Sequence, residues 1–90
     1  MLLAPLDLAR ARAAVESLLD RLDLDAFLFA VEHTAEGWEV RVECAIEGGW
    51  QAETIVLGEE LPGSGPEDAM LRDRLVAELR EKLAACKRRA

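Results

Sequence analysis

Apolar and polar side chains alternate with a period of two between residues 27 and 46. Phe27, Phe29, Val31 and His33 form one set and Trp38, Val40, Val42, Cys44 and Ile46 continue it, while Glu39, Arg41, Glu43 and Glu47 take the intervening positions. A half-buried antiparallel hairpin requires this pattern, because successive strand side chains point to opposite faces. Thr34-Ala35-Glu36-Gly37 reads as the turn, with glycine where a positive φ is needed. If His33 faces Trp38, then Val31 faces Val40, Phe29 faces Val42 and Phe27 faces Cys44, all on one side of the sheet.

A third strand follows the turn at Glu47-Gly48-Gly49, in one of two registers. A two-residue Gly-Gly turn pairs Glu47 with Trp50 and sets Gln51, Glu53, Ile55 and Leu57 on the apolar face, which would bury a glutamate. A three-residue loop with a glycine bulge pairs Ile46 with Trp50 and Cys44 with Ala52, turning Trp50, Ala52, Thr54 and Val56 to the core. A one-residue slip exchanges the faces of the whole strand. The second register keeps Glu53 in water and is preferred; it leaves Ile55 and Leu57 on the outer face.

Helical spacing flanks the strands. Leu8, Ala11, Val15, Leu18 and Leu22 follow Pro5 at three- and four-residue steps, and Asp23-Leu24-Asp25 ends that stripe. Gly58 to Pro66 is a loop, with Ser64-Gly65-Pro66-Glu67 as a capping box in which Ser64 accepts from the Glu67 amide. Leu71, Leu75, Val76, Leu79 and Leu83 then make the buried face of a last helix, with Asp68–Arg72 and Glu78–Lys82 as favourable pairs and Lys82 and Lys87 to Arg89 at its carbonyl end. The expected fold is a single small α+β domain over residues 1–90, two-layer α-β-β-β-α, with a three-stranded antiparallel meander and both helices packed on one face.

Composition sharpens this picture. Of 90 residues 51% are hydrophobic and 32% charged, which suits a folded domain, although one this small has a thin stability margin that oligomerisation would widen. The net charge of −7 is uneven: residues 16–68 carry −12, whereas residues 69–90 carry +4. Such a field repels polyanions and favours cationic partners. The opening Met1–Asp7 has no basic segment and its apolar run is soon interrupted, so no signal peptide is expected, and no uncharged stretch approaches the ~18 residues of a membrane span. A soluble cytoplasmic protein is the expectation.

The chemistry-bearing residues converge on no recognisable catalytic, cofactor or metal motif. His33 is the sole histidine and reads as a strand-end residue, since Glu32 beside it points to the other face. Cys44 and Cys86 lack a CxxC pairing and read as free thiols; a disulfide between them would require the last helical turn to lie over the central strand, with Cα atoms within about 7 Å. Cys86, followed by Lys87-Arg88-Arg89, is the better placed of the two to react. The most regular polar group is Glu39, Glu43, Glu47 and Glu53 on the outer face, bordered by Ile55, Leu57 and Leu28. An acidic field with an apolar margin suits a protein partner better than water, and the face is too open for catalysis.

The order helix, three strands, helix resembles that of double-stranded RNA-binding domains. In that family a lysine cluster at the start of the last helix reads phosphates; this chain has Glu67-Asp68-Ala69 there, so RNA binding does not carry over. The small acidic chaperones of type III secretion are also similar at their start, a helix and three strands, but have further strands and a helix beyond it. The sequence therefore points to a non-enzymatic protein-interaction or adaptor domain without a cofactor. It would contact a protein partner, of basic character by the charge argument, through Glu39, Glu43, Glu53, Ile55 and Leu57, and form a homodimer through that face or an edge strand. The alternatives are a nucleic-acid module acting through the basic last helix and a small thiol-dependent protein.

Overall fold

The computed structural model describes residues 5–89. The opening Met1–Ala4, read above as no leader, lies outside them. Helix α1 spans Pro5–Asp20, strands β1, β2 and β3 span Phe27–Thr34, Gly37–Ile46 and Gly49–Gly58, and helix α2 spans Ala69–Lys82 after a 3-10 turn at Pro66–Asp68. The strands form one antiparallel sheet in the order β1-β2-β3, with the helices on the face that carries its apolar residues. No helix among the described residues is long and apolar enough to cross a membrane.

The first hairpin has the register expected from its alternation, from Phe27 opposite Cys44 to His33 opposite Trp38. The turn itself is Ala35-Glu36, where the Thr34 hydroxyl accepts from the Glu36 amide at 3.1 Å and donates to the Gly37 carbonyl at 3.2 Å. Gly37 has φ of 106° and lies so close to β3 that a Cβ there would stand 2.6 Å from the carbonyl carbon and oxygen of Gly58. Glycine is needed at this position for its conformation and for its size.

The second hairpin departs from both registers considered above. Its turn is Glu47-Gly48, with Gly48 at φ 85°, and Ile46 pairs with Gly49, Cys44 with Gln51, Val42 with Glu53 and Val40 with Ile55. Ile55 and Leu57 are thereby core residues, 4% and 5% exposed, and not outer-face residues. Trp50, Ala52, Thr54 and Val56, expected inside, are exposed. Sparing Glu53 from burial was the wrong criterion. On an edge strand an inward carboxylate can reach round the sheet to water, and Glu53 remains half-exposed while its Oε1 accepts from Gln51 Nε2 at 3.1 Å. Burying Ile55 and Leu57 is worth ~1.5–3 kcal/mol for each side chain, which outweighs that partial desolvation. A bulge near Trp38 and Glu39 leaves Leu57 without an opposing residue and still facing the helices.

Helix α1 buries Ala11, Val15, Leu18 and Leu19, followed by Leu22 just past its end, but Leu8 on the expected stripe is exposed. It closes with amides of Arg21, Leu22 and Asp23 donating to carbonyls three residues back, and Asp23 at φ 55° redirects the chain. Helix α2 buries Leu75, Val76 and Leu79, with Leu83 beyond its last residue. Its start is not the expected capping box: Ser64 makes no cap bond. Instead Asp68 Oδ2 accepts from the Gly63 amide at 2.8 Å, and Arg72 Nη1 donates to the carbonyls of Gly63 at 2.6 Å and Gly65 at 2.7 Å. Arg72 thus braces the loop in place of the expected pair with Asp68. Across the helices, Arg21 Nη1 meets Asp73 Oδ1 at 3.1 Å and Arg80 Nη2 donates to the Arg21 carbonyl at 3.3 Å.

The expectation of free thiols is corrected as well, because Cys44 and Cys86 form a disulfide with Cα atoms 5.7 Å apart. The helix does not continue to Cys86. After Leu83 the chain turns, the Lys87 amide donates to the Ala45 carbonyl at 2.8 Å, the Asp25 amide donates to the Lys87 carbonyl at 2.9 Å and the Arg89 amide to the Asp23 carbonyl at 2.7 Å. Leu24 and Arg88 form an isolated bridge. Lys87-Arg88-Arg89 is therefore a backbone-anchored segment beside residues 23–25 rather than a charged helix end, and Arg89 lies 3.6 Å from Asp23 Oδ1.

Candidate functional site

The face of the sheet away from the helices is built from the even positions of β1, the odd positions of β2 and the even positions of β3, as the observed registers require. Three cross-strand rows define it: Leu28 with Glu43 and Ala52, Ala30 with Arg41 and Thr54, and Glu32 with Glu39 and Val56. Ala45 and Trp50 form a further pair at the Gly48 end. Most of these side chains are short or charged, so the larger apolar ones stand clear. Leu28 is 64% exposed, Trp50 60% and Val56 44%.

Glutamates 32, 39 and 43 and Arg41 give the face a local charge of −2. Arg41 Nη2 lies 3.3 Å from Glu43 Oε1, an exposed pair that organises the two side chains and adds little stability. Beside them a shallow depression of about 220 Å³ runs along Leu28, Ala30, Arg41 and Glu43. The surface is flat enough to receive another macromolecule and offers no enclosed volume for a reacting small molecule.

Of the five partner-binding residues expected from sequence, Glu39 and Glu43 share this face. Glu53, Ile55 and Leu57 do not, since the register turns all three toward the helices. Sequence reasoning missed Trp50 and Val56, which occupy the places assigned to Ile55 and Leu57. A signal was present: two large apolar residues on each face of the third strand, Ile55 and Leu57 on one and Trp50 and Val56 on the other, made either face a possible inner one, and only the helix packing chooses.

His33 stacks edge-on against Trp38 with centroids 4.8 Å apart, and its Nε2 is 4.0 Å from Glu59 Oε2. Among the described residues no three histidine, cysteine or acidic side chains gather as a metal site would require. Cys44 and Cys86 are both buried, and in the disulfide neither sulfur is a nucleophilic thiolate. No protein-family model matches the chain, and no match was found among curated proteins or solved structures.

Proposed function

We propose that this chain is a non-enzymatic protein-association domain that offers the outer face of its sheet to a protein partner bearing both cationic and apolar side chains. One observation carries the reading: Leu28, Trp50 and Val56 stand exposed on a sheet face whose remaining positions are small, hydroxylated or charged. Interfaces draw their energy from a few aromatic and aliphatic anchors, tryptophan foremost, with charged residues at the rim setting orientation and partner choice. Trp50 is the natural anchor, with Leu28 and Val56 on the edge strands, and Glu39 and Glu43 on the central strand β2 supply the charge that selects the partner.

Self-association is the weaker form of this proposal. Two copies face to face bring together surfaces of the same −2 charge, which opposes docking unless Arg41 of each copy neutralises glutamates of the other. Edge pairing through β3 is opposed by Glu53, because an inward-pointing charge on an edge strand is a device against it. Nucleic-acid binding through the basic last helix also loses support. Of its cations, Arg72 and Arg80 contact carbonyls within the chain, as Arg89 beyond the helix contacts Asp23, which leaves fewer of them for phosphate.

The test compares wild type with Trp50→Ser and with Glu39→Lys/Glu43→Lys as immobilised bait. A species captured by wild type, purified and rebound, should bind Trp50→Ser ~30-fold more weakly, as removal of an anchor worth about 2 kcal/mol requires. It should protect amides of β1 and β3 against exchange while both variants keep the wild-type melting temperature. Equal binding by all three, or protection confined to the helices, rejects the face. A dimer in sedimentation that dissociates on Trp50→Ser assigns the face to a second copy and overturns the heterotypic form.

A further inference from the structure

A cleft of about 680 Å³ opens on the helix side of the molecule, between α1 and the loop that joins β3 to α2. Its size lies in the range of ~300–1,000 Å³ typical of small-molecule sites. The accessible apolar lining comes from the half-buried Trp38 and Leu61, with the buried Ala11 and Leu18 of α1 behind it. The α1 wall is low because Ala14 and Ser17, on successive turns, are short. Around this lining stand three guanidinium-bearing residues, Arg10, Arg21 and Arg72, against a single carboxylate, Asp7.

The sign of that rim is opposite to that of the chain as a whole, whose net charge is −7. Arg72 is held by two bonds from Nη1 to the carbonyls of Gly63 and Gly65, so one side of its planar fork is committed to the loop and its position is set. Arg21 is oriented by Asp73. Arg10 makes no ion pair among the described residues. Planar guanidinium groups over an apolar floor recognise an anionic head group carried on an apolar body.

We propose that this cleft binds a small amphiphile with an anionic head, either a carboxylate or a phosphate monoester, with the head at Arg10, which has no ion-pair partner among the described residues, and the apolar body against Trp38 and Leu61. The site shares no residue with the outer sheet face, so either proposal can fail without the other.

The chain has two tryptophans, so in Trp50→Phe the emission of Trp38 reports the cleft alone. Decanoate and decyl phosphate, each below its micellar concentration, are the probes, and decanol is the uncharged control. Saturable change in Trp38 emission is expected with at least one of the anions, and the tighter of the two identifies the head group. Decanol should bind roughly tenfold more weakly or worse, since it forfeits the charge-assisted hydrogen bonds. Arg10→Glu should weaken the anion by a similar factor. Ala14→Leu should abolish binding by filling the low wall, and Ser17→Leu, at an exposed position, repeats that test should Ala14→Leu fold poorly. No saturable change, equal binding of decanol and both anions, or full binding in Ser17→Leu would overturn the proposal. A concentration-dependent dimer lost in Ser17→Leu would overturn it in favour of a second copy in the cleft.

Discussion

Reduction of the Cys44–Cys86 bridge should cost this domain a large share of its stability. The two residues are separated by 42 positions, and the chain-entropy expression for a loop of that size gives about 13 cal/mol/K, or about 4 kcal/mol at 25 °C. A domain of this length has roughly 5–13 kcal/mol in total. The loss should lower the melting temperature by about 15–30 °C, at ~4–8 °C per kcal/mol for domains of this size. Comparing oxidised and reduced wild type avoids the small cavities that Cys44→Ala/Cys86→Ala would add in the core, and the double variant then separates the bridge from side effects of the reductant. Calorimetry measures both. Hydrogen exchange should show where the loss begins: the amides of Lys87 and Arg89, bonded to Ala45 and Asp23, should lose protection before those of β2. A shift below about 4 °C on reduction, or quantitative alkylation of both cysteines in the native oxidised protein, would refute the reasoning.

Two further substitutions probe the hairpins, each against an internal control. Gly37→Ala should destabilise the fold by about 2–4 kcal/mol in urea unfolding, because φ is positive and the new methyl would strike the Gly58 backbone, whereas Gly48→Ala, with φ also positive but nothing within 4 Å of its Cβ, should cost only about 1 kcal/mol. Ile55→Ala should cost about 2–5 kcal/mol and Val56→Ala less than about 0.5 kcal/mol. The reverse order would restore the register that sequence alone preferred and remove Val56 from the proposed interface.

The first hairpin could be read from sequence because three independent signals coincide there: alternation in both strands, a glycine at the required turn position, and a charged opposite face. The helices were legible from leucine spacing for a similar reason, apart from the exposed Leu8 and the turn that ends α2 at Lys82. The second hairpin offered no such agreement. Glu47-Gly48-Gly49 permits several turns, and β3 carries Ile55 and Leu57 on one face and Trp50 and Val56 on the other, so its alternation does not say which face is inner. Three of the five residues assigned to the candidate surface, Glu53, Ile55 and Leu57, inherited that error, while Glu39 and Glu43 on the well-defined central strand were placed correctly. The cleft bordered by Arg10, Arg21 and Arg72 left no sequence signal, since its residues come from positions far apart in the chain.

Local patterning alone determined that this chain makes two amphipathic helices and a three-stranded meander, because side-chain periodicity is a property of neighbours along the backbone. Only tertiary packing decided which face of β3 is buried, that Cys86 reaches Cys44, and which residues remain on the surface. Those outcomes compare long-range alternatives: two large aliphatic side chains buried under α2 against one half-solvated glutamate, and a chain that turns after Leu83 against a helix that runs on. Each turns on contacts between segments distant in sequence, and no local pattern records them.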